Sequence, residues 1–273
     1  MALTELQRRI CRVIAANRIA IGESYVAGGV ALNALTRGSR ISRDIDLFHD
    51  TRQALDASWT ADRAALKKEQ FTVEVIRERS GFVEARIREG ESSVLMQWAE
   101  DSAYRFFPLV EHEELGLTLH PFDLATNKVL ALIGRAEIRD WIDIMTCNDR
   151  IQPLGYLVWA ACGKDPGFNP SSILDQAART ARYTQDELRL VLFDDGNIPD
   201  AAELSRKWHE ILKTAGTIVD CLPSKQAGQC VLGKDYDLFK GDIAALKEDL
   251  KSKSIRFHSG CIRGALPALL QER

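Results

Sequence analysis

A chain of 273 residues suits one large domain or two modest ones and is long enough to bury a substantial core. Hydrophobic residues make up 45% and charged residues 27%, close to soluble globular averages, and no apolar run is long enough to span a bilayer. The formal net charge of -3 argues against a broad nonspecific nucleic-acid coat but leaves room for a local basic patch. The six cysteines are scattered without CxxC spacing or clustered histidines, which indicates neither a structural zinc site nor a disulfide framework.

In chain order, Leu6, Ile10, Val13, Ile14 and, more loosely, Ile19 recur at helical spacing and predict an amphipathic lead-in helix over residues 4–19. This charged segment lacks the continuous apolar centre of a secretory leader, so a cytoplasmic protein is expected. Ser24-Tyr25-Val26-Ala27 reads as a strand that turns sharply at Gly28-Gly29 into a helix of Val30 to Leu35. Glycine lets a backbone approach a ligand and present its amides at a helix start, where a phosphate is favoured. Close strand–helix packing explains a lone glycine pair equally well. A loop carrying Arg37, Arg40 and Arg43 leads to Asp44-Ile45-Asp46-Leu47-Phe48, a strand whose alternation places Asp44 and Asp46 on one face and Ile45 and Leu47 on the other. Two carboxylates on one exposed strand face suit a divalent metal. The plain alternative is a half-buried strand with an acidic wet face.

Thr51 to Gln70 predicts a surface helix with Leu55, Trp59 and Leu66 inward, followed by strands over 71–78, 82–88 and 93–98 in an antiparallel meander. Glu111 to Leu119 adds a short edge strand. Pro121 opens a helix that runs to Gly134, and residues 135–144 form another. Beyond Pro153 only helical segments are expected, near 153–162, 171–181, 184–193, 200–220, 241–252 and 261–270. The predicted architecture is an α/β (α+β) mixed-sheet domain over residues 1–148 and a helical domain over 149–273.

Lys128 shares a helix face with Leu124, Ala131, Leu132 and Arg135, a charge on a mostly apolar stripe. It is either a lysine snorkelling at the core edge or one aimed at a triphosphate. In the next helix Arg139 and Asp143 are spaced to pair, Asp140 faces elsewhere beside Trp141, and Arg135 and Arg139 are spaced for a phosphate-binding fork.

Two blocks, GGVALNALTRGSRISRDIDLF at 28–48 and DLATNKVLALIGRAEIRDWIDI at 123–144, together resemble the abortive-infection AbiEii-type toxin nucleotidyltransferases of the polymerase-beta-like superfamily. The resemblance implies a nucleotidyltransferase sheet, a magnesium ion with manganese as an alternative, and a nucleoside triphosphate substrate. It further implies an acceptor such as tRNA or protein, and growth inhibition neutralised by a cognate antitoxin. By the same resemblance Asp44 and Asp46 are the metal ligands, and Gly28 and Gly29 with Ser39, Arg40 and Ser42 flank the triphosphate. Lys128 contacts the nucleotide phosphates, and Asp140 acts in catalysis or in organising the site. Superfamily members commonly carry a third carboxylate on a later strand, where this chain has Gln97. That departure makes Asp101 or Asp140 its substitute, or leaves a catalytically impaired nucleotide-binding or regulatory module. A small-molecule acceptor, as in antibiotic-modifying relatives, is the remaining alternative. The loop arginines and the Arg206-Lys207 pair lean towards RNA.

Overall fold

A computed structural model describes residues 3–180, 183–194 and 196–267. The first helix, α1 (Glu5–Ile21), starts at a capping box in which Thr4 and Gln7 satisfy each other's backbone amides, and it stops at Gly22 in the left-handed region. Its buried face is Gln7, Ile10, Cys11, Ile14 and Arg18, whereas Ile19 is 48% exposed. Arg18 lies inside because its guanidinium donates to the carbonyls of Leu115 and Cys11.

Strand β1 (Ser24–Ala27), helix α2 (Gly28–Thr36), strand β2 (Asp44–His49) and helix α3 (Arg52–Lys68) follow. Next come β3 (Thr72–Arg79), β4 (Phe82–Glu89), β5 (Ser92–Glu100), β6 (Tyr104–Arg105), β7 (Val110–His112) and β8 (Gly116–Thr118). Seven strands form one sheet in the order β3-β4-β5-β2-β1-β8-β7. The β2–β5 and β1–β8 pairs are parallel and the others antiparallel, so the sheet is mixed. The expected edge strand over 111–119 is a hairpin, because β8 pairs with both β1 and β7.

Alternation sorts the two faces. Ile45, Leu47 and His49 of β2, Val94, Met96 and Trp98 of β5, and Val83, Ala85 and Ile87 of β4 are buried. Leu55, Trp59 and Leu66 of α3 are buried as expected, with Trp59 edge-on to Trp98. Within this core Asp62 accepts hydrogen bonds from Asn17, Ser58 and Trp98 Nε1, which lets a carboxyl sit fully buried. Burial pushes that carboxyl upward, with Arg18 the main opposing charge.

Helices α4 (Pro121–Arg135), α5 (Ile138–Arg150), α6 (Leu154–Ala161), α7 (Pro170–Thr180), α8 (Gln185–Arg189), α9 (Ala201–Cys221) and α10 (Ile243–Lys251) follow. The remaining strands are β9 (Gln229–Leu232), β10 (Arg256–Ser259) and β11 (Cys261–Ile262). Two compact units divide the chain. The first comprises residues 1–103, 109–124 and 192–197, and the second 104–108, 125–191 and 198–273. A cut at 148 therefore falls inside the second unit, which already includes most of α4 and all of α5.

The second unit has its own core of Tyr156, Trp159, Ile218, Val219, Leu222, Val231, Phe239, Leu246 and Ile255. Buried Gln152 donates to the carbonyls of Val231 and Phe239, anchoring β9 where helix was the only expectation. β9 pairs antiparallel with β10, and β11 pairs with β6. These corrections have one cause: four-residue and two-residue strands are too short for alternation to register. Over 261–270 the expected helix is absent as far as residue 267, since Arg263 and Gly264 both have positive φ. Residues 268–270 lie outside the described part.

Candidate functional site

Strand β2 places Asp44, Asp46 and Phe48 on its half-buried face and sinks Ile45, Leu47 and His49 into the core. Burial holds the His49 imidazole neutral, pushing its pKa down to about 4. Its Nδ1–H donates to the Ala99 carbonyl.

The glycine pair is shaped around this strand. Gly28 has φ 64°, and a Cβ there would fall 2.1 Å from Asp46 Oδ2, so glycine is required both by backbone and by space. At Gly29 a Cβ would meet Arg40 Nη2 at 2.4 Å and Ser42 Oγ at 2.7 Å. The helix α2 thus begins against Asp46, Arg40 and Ser42. Ala27 gives its first turn no side-chain cap. Amides at such a helix start carry the positive end of the dipole.

The loop before Asp44 is held at both sides. Gln7 Nε2 donates to the Ser42 carbonyl at 2.7 Å. Ile41 N donates to the Leu192 carbonyl, Asp194 N donates to the Ser39 carbonyl, and Arg40 bridges Phe193. Arg40 and Ser42 are therefore buried, while Arg37, Ser39 and Arg43 are exposed. Of the residues expected to flank a triphosphate, Gly28, Gly29, Arg40 and Ser42 come together around Asp46, and Ser39 stands outside that group. Gln7 and residues 192–194 are contributors that the sequence reading missed, since nothing in local spacing signals a pairing across 150 positions.

The parallel register of β2 and β5 sets Asp46 beside Gln97, and the antiparallel register of β5 and β4 sets Gln97 beside Glu84. Gln97 Nε2 donates to Glu84 Oε1 at 2.9 Å. Asp101 lies beyond the end of β5, where its carboxylate accepts from the amide of Ser102, outside the Asp46 row. Among the described residues no group of three His, Cys, Asp or Glu side chains is placed to hold a metal. The β2 carboxylates nevertheless suit magnesium in kind, because that ion is commonly held by one or two carboxylates with substrate phosphates and water completing its shell. The Asp46 carboxylate packs directly against Gly28, in the space that a Cβ would otherwise take.

The second constellation is an ion cluster within the second unit. Lys128 Nζ lies 2.9 Å from Asp140 Oδ1 and 3.0 Å from Asp143 Oδ2, with all three side chains buried. Arg135 adds two hydrogen bonds to Asp140, from Nε at 2.7 Å and from Nη2 at 2.9 Å. Burial is the largest influence on the Asp140 carboxyl and would raise it, but Arg135 and Lys128 together outweigh burial and hold it below the usual range. Asp143 thus faces Lys128, and Arg139 pairs with Glu137. Arg135 is bound to Asp140 and lies 3.8 Å from Glu137. Lys207, half of the basic pair on α9, is bound to Asp149.

The first unit thus sets an Asp-x-Asp strand beside a glycine-led helix in a mixed sheet. No family model matches the chain, and no curated protein matches its sequence. Among solved structures the chain is similar to an H. pylori protein described as a candidate nucleotidyltransferase, with a TM-score of 0.54 and 13% identity over 81% of this chain and 99% of that one. It is also similar to JHP933 from Helicobacter pylori, with a TM-score of 0.50 and 13% identity over 80% of this chain and 95% of that one. At such identity the likeness is one of fold.

Proposed function

We propose that the protein is a magnesium-dependent nucleotidyltransferase that moves a nucleoside monophosphate from a nucleoside triphosphate to an acceptor hydroxyl. The observation that carries this reading is the close packing of Gly28 against Asp46, which sets the start of α2 directly beside that carboxylate. In the transfer, the acceptor oxygen bonds to the α-phosphorus, the bond from that phosphorus to the pyrophosphate oxygen breaks, and the hydroxyl proton passes to solvent. Asp44 and Asp46 would hold the ion, whose positive charge screens the phosphates. The amides at the start of α2, with Arg40 behind Gly29, offer further positive charge, and positioning of this kind carries much of phosphoryl chemistry.

The test is incorporation of α-labelled nucleotide into tRNA, protein or a small hydroxylated acceptor in the presence of magnesium. The unaltered chain should label one of them, and an Asp46→Ala variant should not; full incorporation by that variant sinks the assignment.

Gln97 in the place of a third carboxylate favours a second reading, a module that binds nucleotide without turnover. Calorimetry showing nucleotide binding with no incorporation under magnesium or manganese would select it. The toxin role, with an antitoxin partner, rests on the resemblance of the two sequence blocks. It predicts growth arrest on expression that Asp46→Ala relieves.

A further inference from the structure

Helix α9 carries a glycine that no contact in the described residues requires. Gly216 lies well inside this 21-residue helix, its φ is not positive, and a Cβ there would meet no atom within 4 Å. Glycine weakens a helix interior relative to alanine, so the position loses stability without a compensating contact. The buried face of the same helix shows what glycine does when a neighbour covers it. There α6 comes close through Gly155, where a Cβ would fall 2.7 Å from Ile218 Cβ and 2.9 Å from the Ala215 carbonyl oxygen. Gly216 instead borders a groove of about 270 Å³ within the second unit, between α7 and α9. Leu174, Asp175 and Ala178 line it from one face of α7, and Leu212, Val219 and Asp220 line it beside Gly216 from one face of α9. Val219 belongs to the core of the unit and Leu174 packs against that core, so the apolar floor is continuous with it. Asp175 and Asp220 are exposed. Among the described residues neither carboxylate has an ion-pair or hydrogen-bond partner, and no basic side chain lines the groove.

We propose that the α7–α9 groove docks an amphipathic helix of a partner protein, which lays apolar side chains on the floor and sets lysine or arginine side chains against Asp175 and Asp220. The inference stands apart from the nucleotidyltransferase reading and does not need it. The missing Cβ at 216 and the short side chain at 178 let a helix backbone come near, as α6 does at Gly155. Leu174, Leu212 and Val219 supply apolar area of the kind that an amphipathic helix covers when it lies in a groove. Two carboxylates without cations select a basic segment over an acidic one, because like charges brought together across an interface are costly. A free polyamine would satisfy the carboxylates but makes no use of the space at Gly216.

The test uses a fluorescein-labelled peptide with leucine at helical spacing flanked by lysine, and a counterpart with glutamate in place of lysine, each titrated with the full chain and followed by fluorescence anisotropy. The lysine peptide should bind saturably and the glutamate peptide should not. Gly216→Leu, which fills the groove from its floor, should weaken binding by about tenfold or more. The Asp175→Asn/Asp220→Asn pair should weaken it by about threefold to tenfold. Gly216→Leu should melt no lower than the unaltered chain, since leucine favours helix and its Cβ enters empty space, so lost binding in that variant is not lost folding. Unaltered binding in either variant would overturn the proposal, and so would equal binding of the two peptides or saturable binding by neither. Spermidine that binds as tightly as the lysine peptide, with the same loss in Gly216→Leu, would overturn it in favour of a small amine. Self-association of the unaltered chain in sedimentation that Gly216→Leu abolishes would overturn it in favour of a second copy.

Discussion

Replacing Lys128 by methionine keeps the length and most of the apolar stem but removes the ammonium that two carboxylates share. In the folded chain that ammonium is 2.9 Å from Asp140 and 3.0 Å from Asp143, with side-chain exposures of 8%, 0% and 1% for the three residues. Asp140 keeps Arg135, whereas Asp143 loses its lysine at a site almost without water. Breaking a buried ion pair from one side costs about 3–5 kcal/mol, a large share of the roughly 5–15 kcal/mol that stabilises a typical domain. With a urea dependence of about 2–3 kcal/mol per molar, the midpoint should fall by about 1–2 M. Urea titration followed by tryptophan fluorescence reads this directly, because Trp141 and Trp208 are buried in the same unit. A Lys128→Met/Asp143→Leu double variant should recover part of the loss, since it removes the buried carboxylate together with its lysine. A Lys128→Met variant that unfolds at the unaltered midpoint yet fails to bind nucleotide would refute this reasoning. It would show an ammonium reserved for the triphosphate rather than for the fold.

Gly28→Ala should cost more than Gly22→Ala, by calorimetric melting: both glycines have positive φ, a cost of about 1–2 kcal/mol for alanine, but only at Gly28 does the new Cβ meet a carboxylate. Only Gly28→Ala should also depress Asp46-dependent Mn2+ binding. Between pH 6.5 and about 4 the unfolded chain protonates His49 and the folded chain does not, so stability is complete above 6.5 and declines as pH falls through that window, by about 3 kcal/mol. Urea titrations at pH 7 and pH 5 should show a smaller decline in His49→Gln. Asp140 has the carboxylate version of the same sign: its contribution is present above the ordinary aspartate range and disappears as pH drops below it, so Asp140→Asn should flatten the acid limb of the stability curve. Native thiol labelling should reach exposed Cys261 promptly and leave Cys11, Cys147, Cys162 and Cys230 until the chain unfolds.

The elements visible in the sequence were those whose signal is local. The period-two pattern at 82–88 and the acids of 44–48 identified β4 and β2 because one face is wet and the other buried. Arg18 and Asp62 were invisible, since a charged residue satisfied in a core looks in sequence like a solvated one. The Gln97–Glu84 contact depends on strand register, and register is fixed by sheet assembly rather than by spacing along either strand. For the same reason helical spacing did not reveal that Lys128, from another helix, reaches Asp143.

The hydrogen bonds from Ile41 to Leu192 and from Asp194 to Ser39 have a consequence for biosynthesis. A ribosome completes every strand of the seven-stranded sheet by residue 118, yet the loop that leads into Asp44 lacks its backbone partners until residue 194 has emerged. The sheet can therefore assemble early, while the segment beside the glycine pair, which Gln7 can hold from the outset, gains its backbone partners only after helices α4 to α8 have been made.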